Sequence, residues 1–133
     1  MPAASLLETR SELAVSGGLA GFPSSERYVL DEVVDGGPLF RLTSLDEEGL
    51  EFVVAAPGLF FPDYAPVVDD TSAHRLGLTR EEDALVLVVL TLGRTAREAT
   101  ANLLAPLVVN RRDGSAAQVI VEGTYPLRAP LRS

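Results

Sequence analysis

Hydrophobic and polar residues alternate in this chain over short stretches separated by turn-forming residues. The longest apolar run, ALVLVVLTL at residues 84–92, has nine residues and three valines. That length and the β-branched content predict a buried central strand rather than a helix. Further strands are predicted at residues 12–15, 27–30, 39–42, 50–55, 65–69 and 117–122, where aliphatic, β-branched and aromatic residues cluster.

Glycine, proline and aspartate mark the turns between these strands. The turn sequences are DGGP at residues 35–38, DEEG at 46–49 and RRDG at 111–114. The second of them joins two predicted strands into a hairpin, and the third places Asp-Gly at a hairpin tip. One short helix is predicted over residues 72–76, with Asp70 or Thr71 as its N-cap and Gly77 as its end.

The segment TANLLAPLVVN, residues 100–110, combines strand and breaker residues. Pro106 cannot donate to a strand ladder, so it belongs at an edge or a bulge. Asn102 and Asn110 flank the apolar part with side chains that bond nearby backbone and end strand pairing. The pattern predicts a bent β segment whose two halves lie on different sides of a small barrel.

Many short strands with turns between them indicate an all-β fold. The chain of 133 residues is long enough for one hydrophobic core without metal or disulfide, and it shows no repeat or linker. We therefore predict one domain, residues 1–133, with a small antiparallel β-barrel-like fold and one or two short helices. Residues 1–10 are expected to pack loosely, and the tail with Pro126 and Pro130 to wrap a sheet edge.

Composition limits the class of function. The net charge is −8, from 19 acidic and 11 basic residues. Proteins that bind nucleic acid present a basic surface to phosphate, so this balance argues against direct nucleic-acid binding. There is no cysteine, no signal-peptide pattern and no apolar run of the roughly 18 residues that a spanning helix needs. We expect a cytoplasmic protein that does not contact the membrane.

Catalytic and metal-binding patterns are absent from the sequence. His74 is the only histidine, and it is expected to be an exposed polar residue rather than a metal ligand. No serine elbow or glycine-rich phosphate loop occurs. The carboxylate groups at residues 69–70 and 81–83 are adjacent acids in polar stretches, which are usually solvated charge rather than an acid–base pair. The sequence predicts a protein without enzymatic activity, metal or cofactor.

The loop at residues 57–64 is the best candidate for a site. It contains two prolines and the aromatic residues Phe60, Phe61 and Tyr64, and aromatic side chains are enriched where proteins bind one another. The alternative is that Phe60 and Phe61 close one end of a barrel and belong to its core. Both can hold if one Phe points inward and Tyr64 outward. Asp63 either pairs with an arginine or caps the turn.

Two sequence blocks carry a family resemblance. They are APGLFFPDY at residues 56–64 and TANLLAPLVVN at 100–110, with QVI at 118–120 after the hairpin and a weaker GLAGF block at 18–22. Together they resemble the flagellar assembly factor FliW family from about residue 19 to residue 121. The chain departs from the family pattern at Ala20, Pro23 and Leu104.

The resemblance implies a small β-barrel-like protein without catalytic activity that binds the post-transcriptional regulator CsrA and the filament subunit flagellin. In that scheme the two partners compete, so exported flagellin frees the protein to capture CsrA and relieve repression of flagellin translation. The alternative is a flagellin chaperone with no regulatory role. A monomer is expected when no partner is bound.

On this basis we expect a partner-binding surface formed or supported by the aromatic loop. The acidic residues contribute to the electrostatic field of this surface, and the two asparagines fix the neighbouring backbone. The alternative is that these residues only maintain the fold. The candidate residues are Phe60, Phe61, Asp63, Tyr64, Asp69, Asp70, Asn102 and Asn110.

Overall fold

A computed structural model describes residues 11–33, 37–94 and 98–131. These residues form nine strands, one α-helix and two short 3-10 helices at Pro57–Leu59 and Glu81–Asp83. The strands are β1 (Ser11–Val15), β2 (Arg27–Glu32), β3 (Leu39–Ser44), β4 (Glu51–Ala55), β5 (Ala84–Thr91), β6 (Thr100–Ala101), β7 (Leu107–Asn110), β8 (Ser115–Gln118) and β9 (Ala129–Pro130), and the helix is α1 (Asp70–Arg75).

Seven of the strands close into a barrel in the order β4-β3-β2-β1-β8-β7-β5, and β4 pairs with β5 to complete the ring. A ring with an odd number of strands cannot be antiparallel throughout. The parallel pair is β1 with β8, where Ala14 lies opposite Ser115 and Val15 opposite Ala116. The predicted mainly-β, barrel-like class with few short helices is confirmed, and the one parallel pair is a detail that the antiparallel prediction lacked.

The barrel interior is filled by side chains at alternate strand positions, which point to one face of each strand. Leu13, Leu42, Leu87 and Leu107 are fully buried there and meet Tyr28 from β2. β5 is buried on both faces. Leu85 and Leu87 face the barrel core, whereas Val88 and Leu90 pack in a separate cluster outside it. Burial on both faces explains why residues 84–92 read as one apolar run.

The prediction that the two halves of residues 100–110 lie on different sides of the barrel is wrong. Both halves pair with β5, since Ala101 lies opposite Leu90 and Leu107 opposite Leu87. The five residues 102–106 therefore stand opposite only Val88 and Val89, which makes a three-residue bulge. The bend was predicted correctly, but it is an excursion along one partner strand.

Asn102 holds this bulge together. Its side-chain Oδ1 accepts from the amides of Leu104 and Ala105 at 3.1 and 3.0 Å. Pro106 closes the bulge, and its carbonyl accepts from the Val119 amide on the other side. The breaker residues thus act as the sequence predicted, since the side chain satisfies amides that a regular ladder would have paired.

Three other element boundaries differ from prediction. The helix starts two residues earlier, at Asp70, because Asp69 caps it and its Oδ2 accepts from the Ser72 amide at 3.1 Å. Residues 65–69 form no strand, because no ladder pairs them within the described part of the chain. The strand predicted at 117–122 is instead β8, which ends at Gln118 beside the bulge.

Several predicted features are confirmed. The hairpin of β3 and β4 and the hairpin of β7 and β8 have the expected turns. The tail pairs with a sheet edge, with Ala129 opposite Ala101 and Pro130 opposite Thr100. Residues 1–10 and half of the turn at 35–38, namely residues 35 and 36, lie outside the described residues.

Candidate partner-binding surface

The aromatic loop starts where β4 ends. Pro57 opens a 3-10 turn, and its carbonyl accepts from the amides of Phe60 and Phe61 at 3.0 and 2.8 Å. The Tyr64 amide then bonds the Phe61 carbonyl at 3.0 Å. Proline has no amide to extend the ladder, so the chain leaves the sheet at this point and brings three aromatic side chains together within five residues, 60–64.

Phe60 and Phe61 do not close an end of the barrel. They are half-buried in a cluster outside it, between β5 and the edge formed by β6 and β9, which we call the outer cluster. Its buried members are Ala55, Val88, Leu90, Ala101, Leu103 and Ala129, with Leu39, Val53, Phe60, Phe61, Tyr64, Tyr125 and Leu131 packed against them. The two Phe side chains therefore contribute core, but to a second core that fixes the loop on the outer wall.

Tyr64 is anchored rather than free. Its hydroxyl donates to the Leu103 carbonyl at 2.6 Å, and its ring meets that of Tyr125 edge-to-face, with centroids 5.0 Å apart. Leu103 belongs to the bulge that Asn102 organises, so this bond ties the aromatic loop to the second sequence block. Burial, and to a lesser degree the neighbouring Tyr125, raises the pKa of the Tyr64 hydroxyl to about 12.

The Tyr64→Phe variant is expected to be about 1 kcal/mol less stable, because it removes the hydrogen bond and leaves the Leu103 carbonyl without its donor. Urea unfolding followed by circular dichroism measures the difference. Tyr125→Phe is the control, because its hydroxyl reaches the Ala65 carbonyl only at 3.4 Å and is exposed to water. An equal loss in both variants would contradict this role of the Tyr64 bond.

Stability is also expected to fall at alkaline pH. The pKa of Tyr64 is raised from 10.0 to about 12, so the folded protein holds the phenolic proton more tightly than the unfolded chain does. The resulting stabilisation is fully present below pH 10, decreases as pH rises and is lost above the folded-state pKa. Unfolding measurements between pH 9 and pH 12 should show a steeper decline in wild type than in Tyr64→Phe.

Only part of the aromatic loop reaches solvent. Leu59 is 75% exposed, and Asp63 is exposed without a side-chain hydrogen bond or ion pair among the described residues. The expected pairing of Asp63 with an arginine, or its role as a turn cap, is therefore not seen. The loop presents the exposed side chains of Leu59, Pro62 and Asp63 on a support that the outer cluster holds in place, which suits a contact surface between proteins.

Asn110 lies in a different place from Asn102. It is 3% exposed, and its Nδ2 donates to the Leu76 carbonyl at the end of α1 at 2.8 Å. Its Oδ1 accepts from the Arg112 amide at 2.9 Å in the following turn. The side chain thus joins the helix to the β7–β8 hairpin and is not accessible to a partner.

Asp69 and Asp70 mark the other end of the same helix. The hydroxyl and the amide of Ser72 both bond the Asp69 carboxylate, and these bonds hold its pKa below the usual value. Asp70 is exposed in the first turn. Asp69 is therefore a helix cap first, and Asp70 is the solvated charge of the pair.

The acidic turn between β3 and β4 has the same division of roles. Asp46 Oδ2 accepts from the amides of Glu26 and Arg27 at 2.8 and 2.9 Å, which lowers the pKa of this carboxyl. Glu47 and Glu48 are exposed and add negative charge to that end of the barrel. The exposed acidic side chains thus lie at several turns and are not gathered in one patch.

The structure therefore separates the candidate residues into two groups. Phe60, Phe61 and Tyr64 meet the Asn102 bulge through the outer cluster and the bond to Leu103. Asp69, Asp70 and Asn110 surround α1. Gln118 was not predicted as a positioning residue, although it lies in the QVI block at residues 118–120. Its Oε1 accepts from the Ala20 amide at 2.7 Å, and its Nε2 donates to the Ala105 carbonyl at 2.9 Å.

Within the described ranges, no three residues of the metal-ligating types come together as a metal site. His74 is exposed, as predicted. None of the described helices is long and apolar enough to cross a bilayer. The aromatic loop, supported by the outer cluster, is the candidate partner-binding surface.

The fold and this surface define a small closed β-barrel whose outer wall carries a rigid aromatic loop. The family model "FliW protein" matches residues 5–131, so the chain belongs to the FliW family of flagellar assembly factors. The chain is 37% identical over 115 residues to the flagellar assembly factor FliW of Bacillus licheniformis, covering 86% of this chain and 80% of that protein. It is 32% identical to the FliW of Bacillus subtilis over the same length and the same shares of both chains.

A solved structure agrees with this assignment. The chain superimposes on a crystal structure of the flagellar assembly factor FliW with a TM-score of 0.84 and 31% identity, covering 92% of this chain and 86% of that one. The barrel, with the outer wall that carries the aromatic loop, is therefore the FliW fold.

Proposed function

We propose that this protein is a cytoplasmic, non-enzymatic binding protein that antagonises CsrA and also binds flagellin, coupling flagellin translation to flagellin export. The observation that carries the proposal is membership of the flagellar assembly factor family over residues 5–131. The rigid aromatic loop supports it, since a fixed surface loses little conformational entropy on binding.

The charge of the chain supports the regulatory half of the proposal. CsrA holds RNA, so it must be basic where it contacts phosphate. A partner with a net charge of −8 docked beside that surface repels phosphate and favours release of RNA. The acidic turn with Glu47 and Glu48, together with Asp70, places part of this charge on exposed side chains.

Titration calorimetry with CsrA from the same organism, repeated with flagellin already bound, tests the partner switch. Tight binding that flagellin abolishes is the expected result. Flagellin binding without CsrA binding would overturn the regulatory half and leave a flagellin chaperone. For the electrostatic part, inhibition of RNA binding should weaken as salt rises at equal occupancy of CsrA, and no change would refute it.

The aromatic loop is tested with a matched pair of double variants. Leu59→Ser with Asp63→Asn removes its exposed apolar and acidic groups, and Ile120→Ser with Glu122→Gln removes an equivalent pair elsewhere. Leu59 and Ile120 are each 75% exposed, and both acids are exposed. We expect the first pair to weaken binding of at least one partner about tenfold, equal to about 1.4 kcal/mol, and the second to change it little. Equal effects of the two double variants would show that the aromatic loop is not the partner-binding surface.

A further inference from the structure

An open groove of about 570 Å³ lies between the start of β5 and the chain that leads into α1. One wall is formed by Pro66, Val67 and Val68, and the floor by Ala84 and Val86 of β5. Val67 is 69% exposed, which among the large aliphatic side chains of the described residues is exceeded only by Leu59 and Ile120. The groove is not part of the aromatic loop.

One edge of the β5 backbone has no ladder partner at Val86, a residue that lines this groove. In an antiparallel ladder, alternate residues point their amide and carbonyl to opposite edges. The Asp83 carbonyl accepts from Arg111, and the Pro106 carbonyl accepts from Val119 on the far side of β7. Together these bonds show that Leu85 and Leu87 bond β7, whereas Val86 points its amide and carbonyl to the opposite edge, on the β4 side of the strand.

The neighbouring strand stops before it reaches Val86. β4 pairs with β5 only at Val88 and Val89, and the next position facing β5 in that register is Pro57. Pro57 has no amide, and its carbonyl already accepts from the aromatic loop. Among the described residues no ladder pairs Val86 on this edge, so a strand edge lies open at the floor of an apolar groove.

We propose that this groove binds an extended, basic peptide segment of a partner, which adds as a short strand to the open edge of β5. Unpaired backbone groups at a sheet edge specify an extended chain, and the apolar wall accepts every second side chain of that strand. The charge of the rim selects a basic segment, because Arg80 is already paired with Glu82 at 3.5 Å while Glu81 carries no ion pair among the described residues. The proposal goes beyond binding of CsrA and flagellin and does not depend on it.

The first test uses amide hydrogen exchange of the whole protein, read by NMR. In the free protein the Val86 amide is expected to exchange faster than the amides of Leu85 and Leu87, which bond β7. Exchange as slow as at those neighbours would overturn the proposal. Protection that grows with protein concentration would also overturn it, because a second copy of the chain would then be the occupant.

The second test adds a heptapeptide in which valine alternates with threonine and arginine, followed by NMR at millimolar concentration. Saturable shifts centred on Val86, with slowed exchange of its amide, are expected. The same peptide with every backbone amide N-methylated keeps the side chains but cannot pair with the edge, and it should not bind. Absence of shifts with the first peptide, or equal shifts with both, would refute strand addition.

Two variants test whether the peptide binds in the groove. Val67→Asn replaces an apolar side chain of the wall with a polar one and should weaken peptide binding roughly tenfold. Ile120→Asn changes a side chain of similar exposure outside the groove and should leave the affinity unchanged. Both residues are exposed, so both variants are expected to fold. Equal affinities for the two variants would place the peptide elsewhere.

Discussion

The Gly18→Ala variant is expected to lose about 2–5 kcal/mol of its free energy of unfolding. Gly18 has a φ of +68°, in the left-handed region that costs an L-residue roughly 1–2 kcal/mol. A Cβ here would also overlap the Phe22 carbonyl and lie 2.9 Å from the Ser25 carbonyl oxygen. Both are backbone atoms that cannot rotate away, so the overlap adds the roughly 1–3 kcal/mol typical of overpacking.

Gly17 provides a matched control for this variant. Its φ is +78°, but a Cβ there would have nothing within 4 Å. Gly17→Ala should therefore lose only the conformational cost, about 1–2 kcal/mol. Urea unfolding of both variants measures the two contributions separately. Equal losses would show that the close approach at Gly18 is relieved by a shift of the turn.

The second large effect is expected at Asn110. Asn110→Ala should lower the free energy of unfolding by about 2–3 kcal/mol, because it removes two hydrogen bonds and leaves the Leu76 carbonyl buried without its donor. Since Leu76 caps α1, amide exchange in the helix should accelerate more than exchange in the barrel strands. Chemical unfolding and hydrogen exchange measure these two consequences.

Asn102→Ala is the control for Asn110→Ala. Asn102 also makes two side-chain hydrogen bonds, but both lie within its own bulge and the residue is only half-buried. Water can reach the amides of Leu104 and Ala105 once the side chain is removed, so the loss should be about 1 kcal/mol. A larger loss at Asn102 than at Asn110 would reverse the structural roles assigned to them.

The strands were predictable where one face of a strand meets the core. The hairpin at residues 39–55 and the apolar strand at 84–92 were found because burial on one or both faces leaves a local pattern. Boundaries were less accurate where a single side chain decides them. Asp69, rather than Asp70 or Thr71, caps the helix, because its carboxylate reaches Ser72. That choice between adjacent polar residues depends on side-chain geometry.

The candidate surface was predicted in part. Aromatic residues in a proline-bounded loop predict that Phe60, Phe61 and Tyr64 matter for the site. The same pattern does not predict which of these side chains support the loop and which are exposed. An outward-facing Tyr64 was one of the arrangements that the sequence allowed, and the structure shows its hydroxyl bonded to Leu103, far along the chain. A contact across that many residues leaves no periodic signal in the sequence.

By itself, the sequence determined the strand-rich content, the acidic balance and the two blocks that mark the family. These properties are local or additive, so residue order and composition are enough to state them. Only the tertiary structure decided that the ring closes through a parallel β1–β8 pair, that Asn110 bonds the end of α1 and that Val86 lines an open groove. Each of these depends on which distant strands meet and in which register, because a shift of one residue reverses the direction of every amide and side chain.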